Sequence, residues 1–315
     1  MTLKSIKNLK FSVEVLMAVH NGKKFLKEQI NSIINQSFKP NKISFALDNC
    51  NDTSLEIITT LMSKTSIEYS VHHVSFKNPA KTFHFLESKA LKEILFHCDQ
   101  DDIWNFQKIE KCLLEFEKGA DLVIHNCDYI DAQGRKLNQN LWRKNNFKNK
   151  ADIKYNLFTK TIAFGACMAF KNNKNILLEE HPYGFGNDNL RAILCVLFKK
   201  NIRLINLNLI GYRQHDNNVS KKDNKTKMRQ SIIISLRSLI KLKYIIIPLL
   251  IDKNPILDSE SLKILNSKIR HIIFRKLITN SKFNLFYKIL ILINFNDYYR
   301  YSNGLKSQIK DLLFI

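Results

Sequence analysis

The chain has 315 residues, 45% hydrophobic and 25% charged, which suits one large α/β domain with an appendage or two modest domains. Its formal net charge of +22 implies an anionic partner: nucleic acid, a phospholipid surface or a phosphorylated substrate. Six cysteines without a C-x-x-C pair exclude a zinc ribbon or a disulfide scaffold and read as small core residues in a reducing compartment.

In chain order, residues 12–19 read as a buried strand, and 23–36 as a helix with Phe25, Leu26, Ile30, Ile33 and Ile34 on one side. Residues 43–47 form a second strand, followed by the polar turn Asp48-Asn49-Cys50-Asn51-Asp52 and a helix over 53–62. A third strand at 68–73 and a helix at 78–88 lead to a fourth strand at 91–98, which runs into Asp99-Gln100-Asp101-Asp102. A helix at 107–117 and a fifth strand at 121–125 complete the alternation. Such alternation specifies a parallel sheet, and those sheets bind ligands beyond the carboxyl ends of their strands. Both acidic turns lie there.

Residues 131–160 are polar and irregular, and 161–170, 187–199 and 203–213 return to strand- and helix-like runs, so a first domain is expected over 1–220. Residues 221–315 change to an Ile/Leu/Lys-rich helical pattern with 19 Lys+Arg against 6 Asp+Glu, a basic, mainly helical C-terminal region. Within it, 231–250 and 283–295 are apolar nearly all round, with Arg237, Lys241, Lys243 and Lys288 set among the aliphatics. Helices of this type lie in an anionic membrane interface, or else pack on a domain with a solvated basic face. The N-terminus lacks the apolar core of a signal peptide, and no stretch reaches the roughly 18 uninterrupted apolar residues of a spanning helix. The expected location is cytoplasmic, peripheral on the inner face of the cell membrane.

Asp99, Asp101 and Asp102 directly follow the apolar run 94–96. Oxygen-rich turns of this kind suit Mg²⁺ or Mn²⁺ held by one or two carboxylates, with substrate phosphates completing the shell. The same carboxylates would also cap the following helix.

At this point the chain resembles a family. Cys98-Asp99-Gln100-Asp101-Asp102-Ile103-Trp104 resembles the D-Q-D-D-I-W signature of family 2 glycosyltransferases, especially rhamnosyltransferase-like members. Met17-Ala18-Val19-His20-Asn21-Gly22 is similar to the family's first strand and nucleotide loop, and Gly165-Ala166-Cys167-Met168-Ala169-Phe170 to its G-C-T-M-A-F strand. Tyr212-Arg213-Gln214-His215-Asp216-Asn217-Asn218-Val219-Ser220 is similar to its Y-R-Q-H-G-N-N-V-S element. The four occur in family order across about residues 11–220.

The resemblance implies a GT-A fold: a Rossmann-like, mostly parallel sheet flanked by helices, with a nucleotide-sugar half over about 11–130 and an acceptor half over about 131–220. The C-terminal helices form an appendage. It implies a metal-dependent, inverting hexosyl- or deoxyhexosyltransferase that uses a nucleotide diphosphate-sugar donor and a surface-glycan acceptor on a lipid carrier. Donor binding falls to Val19 and Asn21 in the loop around His20, to Asp48 at the end of the second strand, and to Asp99, Arg213 and His215. Asp99, Asp101 and His215 would hold Mn²⁺ or Mg²⁺. The general base maps onto Asp188 in Gly186-Asn187-Asp188-Asn189-Leu190, where Asn187 and Asn189 depart from the family pattern. Asp188 would otherwise cap the helix that follows, and Asp48 would close an Asx turn.

Other classes stay open. A nucleotidyltransferase also uses a Rossmann-like sheet and carboxylate-held metal, though Asn21-Gly22-Lys23-Lys24 is a poor phosphate loop. A degenerate scaffold relative would tolerate the Asn187 and Asn189 departures. Nucleic-acid binding has against it the lack of an aromatic platform or recognisable module.

Overall fold

In the computed structural model, residues 10–145, 147, 164–176, 186–215, 235–251, 256–280, 285–302 and 305–314 are described. The continuous apolar runs of the first third become strands covered on both faces, as parallel sheets require. β1 (Val13–Val19), β2 (Lys42–Asp48), β3 (Glu68–Val74) and β4 (Ile94–Cys98) lie in the order β3-β2-β1-β4, all parallel. Helices α1 (Leu26–Ile34), α2 (Ser54–Met62) and α3 (Pro79–Lys89) make the crossovers. α3 starts sharply because Pro79 occupies its first turn and the Asn78 side chain accepts from the Lys81 N–H.

Beyond β4 the sheet becomes mixed, and that change positions the site. β5 (Ile103–Trp104) and α4 (Lys108–Glu117) follow the acidic turn, and β6 (Leu122–Ile130) comes next. β7 (Lys136–Asn140) pairs antiparallel with β6, and α5 (Leu141–Lys144) follows it. The expectation of an irregular 131–160 is corrected for this described part. β8 (Met168–Lys171) inserts antiparallel between β4 and β6. α6 (Asn187–Leu197) leads to β9 (Ile202–Arg213), which runs parallel to β6 and antiparallel to β5. Ile103 pairs with Gly211, so the end of β9 comes to rest beside the acidic turn. Gly211 lies in tight contact there, since a Cβ would sit 3.1 Å from Ile130 Cδ1.

In the C-terminal region, α7 spans 235–251 with a π-helical stretch at Leu242–Ile246, followed by α8 (Ser259–Asn280), α9 (Leu285–Ile293), α10 (Phe295–Tyr301) and α11 (Leu305–Phe314). Leu236, Leu239, Leu242, Ile246, Ile247 and Leu250 of α7 are buried in the main core. One side of α7 is therefore covered by protein, while Ile240, Tyr244 and Ile251 stay exposed. The Asp258 N–H donates to the Leu197 carbonyl (2.8 Å), tying α8 to the end of α6. Ile291 and Tyr298 form a separate small core with Phe274 and Leu312. Beneath it Arg275 grips Asp311 (Nε to Oδ2, 2.7 Å; Nη2 to Oδ1, 2.9 Å), and the Tyr298 hydroxyl donates to the same carboxylate (2.6 Å). Among the described residues, no helix is long and apolar enough to cross a membrane. The expected domain boundary at 220 lies outside the described residues.

Candidate active site

Two loops at the carboxyl ends of β1 and β2 are stitched together. The Asn21 side-chain carbonyl accepts from the Asn51 N–H (2.9 Å), and the Gly22 N–H donates to Ser54 Oγ (2.9 Å). The Lys23 N–H donates to Asp52 Oδ2 (3.0 Å), and the Cys50 thiol donates to the Val19 carbonyl (3.2 Å). Asn21 holds this bend at φ 51°, a conformation asparagine tolerates better than most residues.

Gln100 fastens the first loop to the acidic turn. The His20 N–H donates to its Oε1 (2.7 Å), and its Nε2 donates to the His20 carbonyl (3.0 Å). A Cβ on Gly22 would lie 2.7 Å from Gln100 Oε1, so a larger residue would displace the Gln100 amide from His20. Asp48 is buried and accepts from the Lys77 N–H (2.9 Å), the Asn78 N–H (3.2 Å) and Thr82 Oγ1 (2.8 Å). Burial raises its pKa, but these donors outweigh it and hold the carboxyl below the ordinary range. Asp48 thus anchors the segment entering α3, and its own carbonyl lies 2.7 Å from the His20 ring nitrogen.

The acidic turn is charged against itself. Asp99 is pushed up to about 7, first by burial, then by the Asp101 and Asp188 carboxylates. Asp102 is raised well above the usual carboxylate range by burial and by Asp101 and Asp99; one oxygen accepts from the Arg213 N–H (3.0 Å), and the other has no partner. Asp101 Oδ2 meets His215 Nε2 at 2.7 Å, and the His215 ring packs on Phe25 with centroids 5.1 Å apart.

Arg213 reaches the turn but does not present its guanidinium to solvent: it is 1% exposed. Its Nε donates to the Asp101 carbonyl (2.6 Å), Nη1 to the Ala132 carbonyl (2.8 Å) and Nη2 to Glu28 (2.5 Å), above the Phe25 ring. Held this way, Arg213 is a buried strut beside the turn. Trp104 is likewise core, buried against Phe96 with the Lys108 ammonium 3.5 Å from its ring centroid.

Asp188 sits in the first turn of α6, across from Asp99. Its Oδ2 accepts from the Gly165 N–H (3.0 Å) and its Oδ1 from the Asn189 N–H (2.7 Å). One turn along α6, Arg191 pairs with Glu87 of α3, whose other oxygen lies 2.7 Å from His97 Nε2. All three side chains are buried. Despite burial, Arg191 and then His97 hold the Glu87 carboxyl at about 2. His97 lies two residues before Asp99, so this charged chain spaces the helix carrying Asp188 from the strand carrying the acidic turn. A lone His in a strand gave no signal of it, and Gln100 stood unassigned inside the acidic motif. Lys108 was equally silent: it is buried, donates to the Ala166 carbonyl (2.7 Å), and is lowered by burial. Residues 216–220 lie outside the described residues, as does the Asn187 side chain; Asn189 is exposed.

Comparison with known proteins follows the same lines. The family described as glycosyl transferase family 2 matches residues 14–176, just over half of the chain. An uncharacterized glycosyltransferase of Nostoc sp. (strain PCC 7120) is 23% identical over 129 residues, and the match spans 40% of each chain. Among solved structures, S. aureus TarS 1–349 in complex with UDP-GlcNAc superposes with a TM-score of 0.58 at 15% identity, over 96% of this chain and 81% of that one. The mannosyltransferase PcManGT from Pyrobaculum calidifontis, in complex with GDP-Man and Mn²⁺, gives 0.52 at 12% identity, over 97% and 85%. At these identities the likeness establishes the fold.

Proposed function

The chain belongs to glycosyl transferase family 2 and has the GT-A fold, and from that premise we propose that it moves one sugar, with inversion, from a nucleotide diphosphate-sugar to a hydroxyl of a growing surface glycan. The acceptor in this reading is a capsule, O-antigen or lipooligosaccharide type of saccharide on a lipid carrier at the inner face of the membrane. The observation that carries it is the placement of Asp188, fixed in the first turn of α6 by the Gly165 N–H and close enough to Asp99 at the end of β4 for the two carboxylates to repel. In the proposed step Asp188 takes the proton of the acceptor hydroxyl as its oxygen bonds to the anomeric carbon. The bond to the diphosphate breaks on the opposite face, and the nucleoside diphosphate leaves with that electron pair.

A divalent cation fits this site in a limited way. The Asp101 carboxylate raises the cost of ionising Asp99, so positive charge beside them is stabilising, and Asp102 keeps an unpartnered buried oxygen nearby. Among the described residues no three metal-binding side chains converge. Mn²⁺ or Mg²⁺ would therefore rest on Asp99 and Asp101, with His215 at the Asp101 carboxylate, and on the donor's own phosphate oxygens. When bound, it would neutralise charge gathering on the leaving diphosphate.

The test is thermal stabilisation by a panel of nucleotide sugars, with Mn²⁺ or with EDTA. At least one donor should raise the midpoint more with Mn²⁺, and Asp101→Asn should abolish that difference while the unliganded midpoint holds. No stabilisation by any nucleotide sugar would remove the reading.

A further inference from the structure

The basic C-terminal region carries an apolar face that the small core does not absorb. Around the corner at Asn294, α9 exposes Ile289, Leu292 and Ile293, and α10 exposes Phe295 and Tyr299. Ile293 is 70% exposed, Tyr299 65% and Leu292 57%. The spacing is that of one stripe per helix, i, i+3, i+4 on α9 and i, i+4 on α10. The inward sides of the same turns are committed: Ile291 and Tyr298 are fully buried, and Gln308 Nε2 donates to the Ile291 carbonyl (2.7 Å). Helix α9 is thus held with its aliphatics facing out rather than turned loose. The Phe295 and Tyr299 rings lie side by side, centroids 6.2 Å apart.

Charge selects the occupant. Residues 221–315 carry 19 Lys+Arg against 6 Asp+Glu, and two of those six, Asp258 and Asp311, are buried. Arg300 is exposed beside Tyr299, and Lys263 and Arg270 are exposed on α8. A second copy of this chain would bring a like-charged face against it, which is unfavourable at a net charge of +22 each. An anionic bilayer offers headgroup phosphates to the cations and acyl chains to the aliphatics, with aromatic rings suited to the boundary between them. We propose that the α9–α10 corner is a surface by which this protein docks on an anionic membrane, inserting Leu292, Ile293, Phe295 and Tyr299 below the headgroups. The proposal names the contact surface for the lipid-borne acceptor suggested above. Its test needs no sugar chemistry, so its failure would leave donor binding and turnover untouched.

The full chain is sedimented with phosphatidylcholine vesicles containing or lacking about one third phosphatidylglycerol. Binding is expected to the anionic vesicles, weakening as salt rises. The double variant Ile293→Ser/Phe295→Ser, both at exposed positions, should keep its melting midpoint and lower the partition coefficient by on the order of tenfold or more. Independently, Ile293→Trp should show a blue shift of its fluorescence only with the anionic vesicles. Equal binding by the double variant, or no blue shift, would overturn the proposal. So would a wild-type dimer that the double variant dissolves, since the face would then be an interface between copies.

Discussion

Replacing Arg191 with Met tests whether the buried charge chain behind the site works as described. Glu87 is buried and takes one oxygen to Arg191 and the other to His97. Removing the guanidinium breaks the ion pair of a buried carboxylate, and breaking such a pair costs about 3–5 kcal/mol. At roughly 2–4 °C per kcal/mol for a chain of this size, the midpoint should fall on the order of 10 °C. The pH dependence supplies a sharper sign. In the wild type Glu87 is held at about 2, below its ordinary 4.5, so its contribution is complete above 4.5 and is lost as pH falls towards 2. In Arg191→Met burial dominates and lifts that carboxyl above 4.5, so the variant should gain stability relative to wild type as pH falls from 7 to 5. The double variant Glu87→Leu/Arg191→Met should recover at least half of the loss, because no orphan charge remains. Thermal melts by circular dichroism across pH 5–8 measure all three. A single-variant loss under about 1 kcal/mol, far below a broken buried pair, or an unchanged pH slope, would refute the reasoning.

Arg213→Lys removes the fork that serves the Asp101 and Ala132 carbonyls. Each buried acceptor left open costs about 1–3 kcal/mol, while the half-exposed Glu28 contributes little. The midpoint should drop with donor affinity nearly intact, whereas a diphosphate-binding arginine would show weakened donor binding at an unchanged midpoint. Asp99 has a raised folded-state pKa of about 7, so its contribution is present at low pH and disappears as pH climbs through 7. The midpoint of the metal-free protein should therefore decline as pH rises from about 4 to about 7 and level off above, and Asp99→Asn should flatten that decline.

The parallel half of the fold was legible because strands buried on both faces must be continuous apolar runs, and Val13–Val19, Lys42–Asp48 and Ile94–Cys98 are nearly so. The antiparallel additions were not. Lys136–Asn140 contains one apolar residue and pairs only because the hairpin brings it to β6, and β8 takes its place from partners distant in sequence. At the site, motif and position singled out the acidic turn and Asp188, and the fold brings the two near each other. The supports were hidden: Gln100, Lys108, and the Glu87–His97–Arg191 chain act through contacts between segments up to 104 residues apart. Arg213 was visible as a charge beside the motif, but only the turn of β9 onto β5 reveals that its guanidinium faces inward. For α7 the sequence left two readings open, because nearly uniform hydrophobicity does not say whether protein or lipid covers a helix.

The central claim, that Asp188 is the base, is tested by the turnover of Asp188→Asn on the donor found by thermal screening, with envelope glycolipid as acceptor. An asparagine carbonyl can still accept the Gly165 N–H, so fold and donor affinity should match the wild type. The account predicts release of nucleoside diphosphate slowed by about 10²–10⁴-fold at saturating donor. Wild-type turnover in that variant would contradict it.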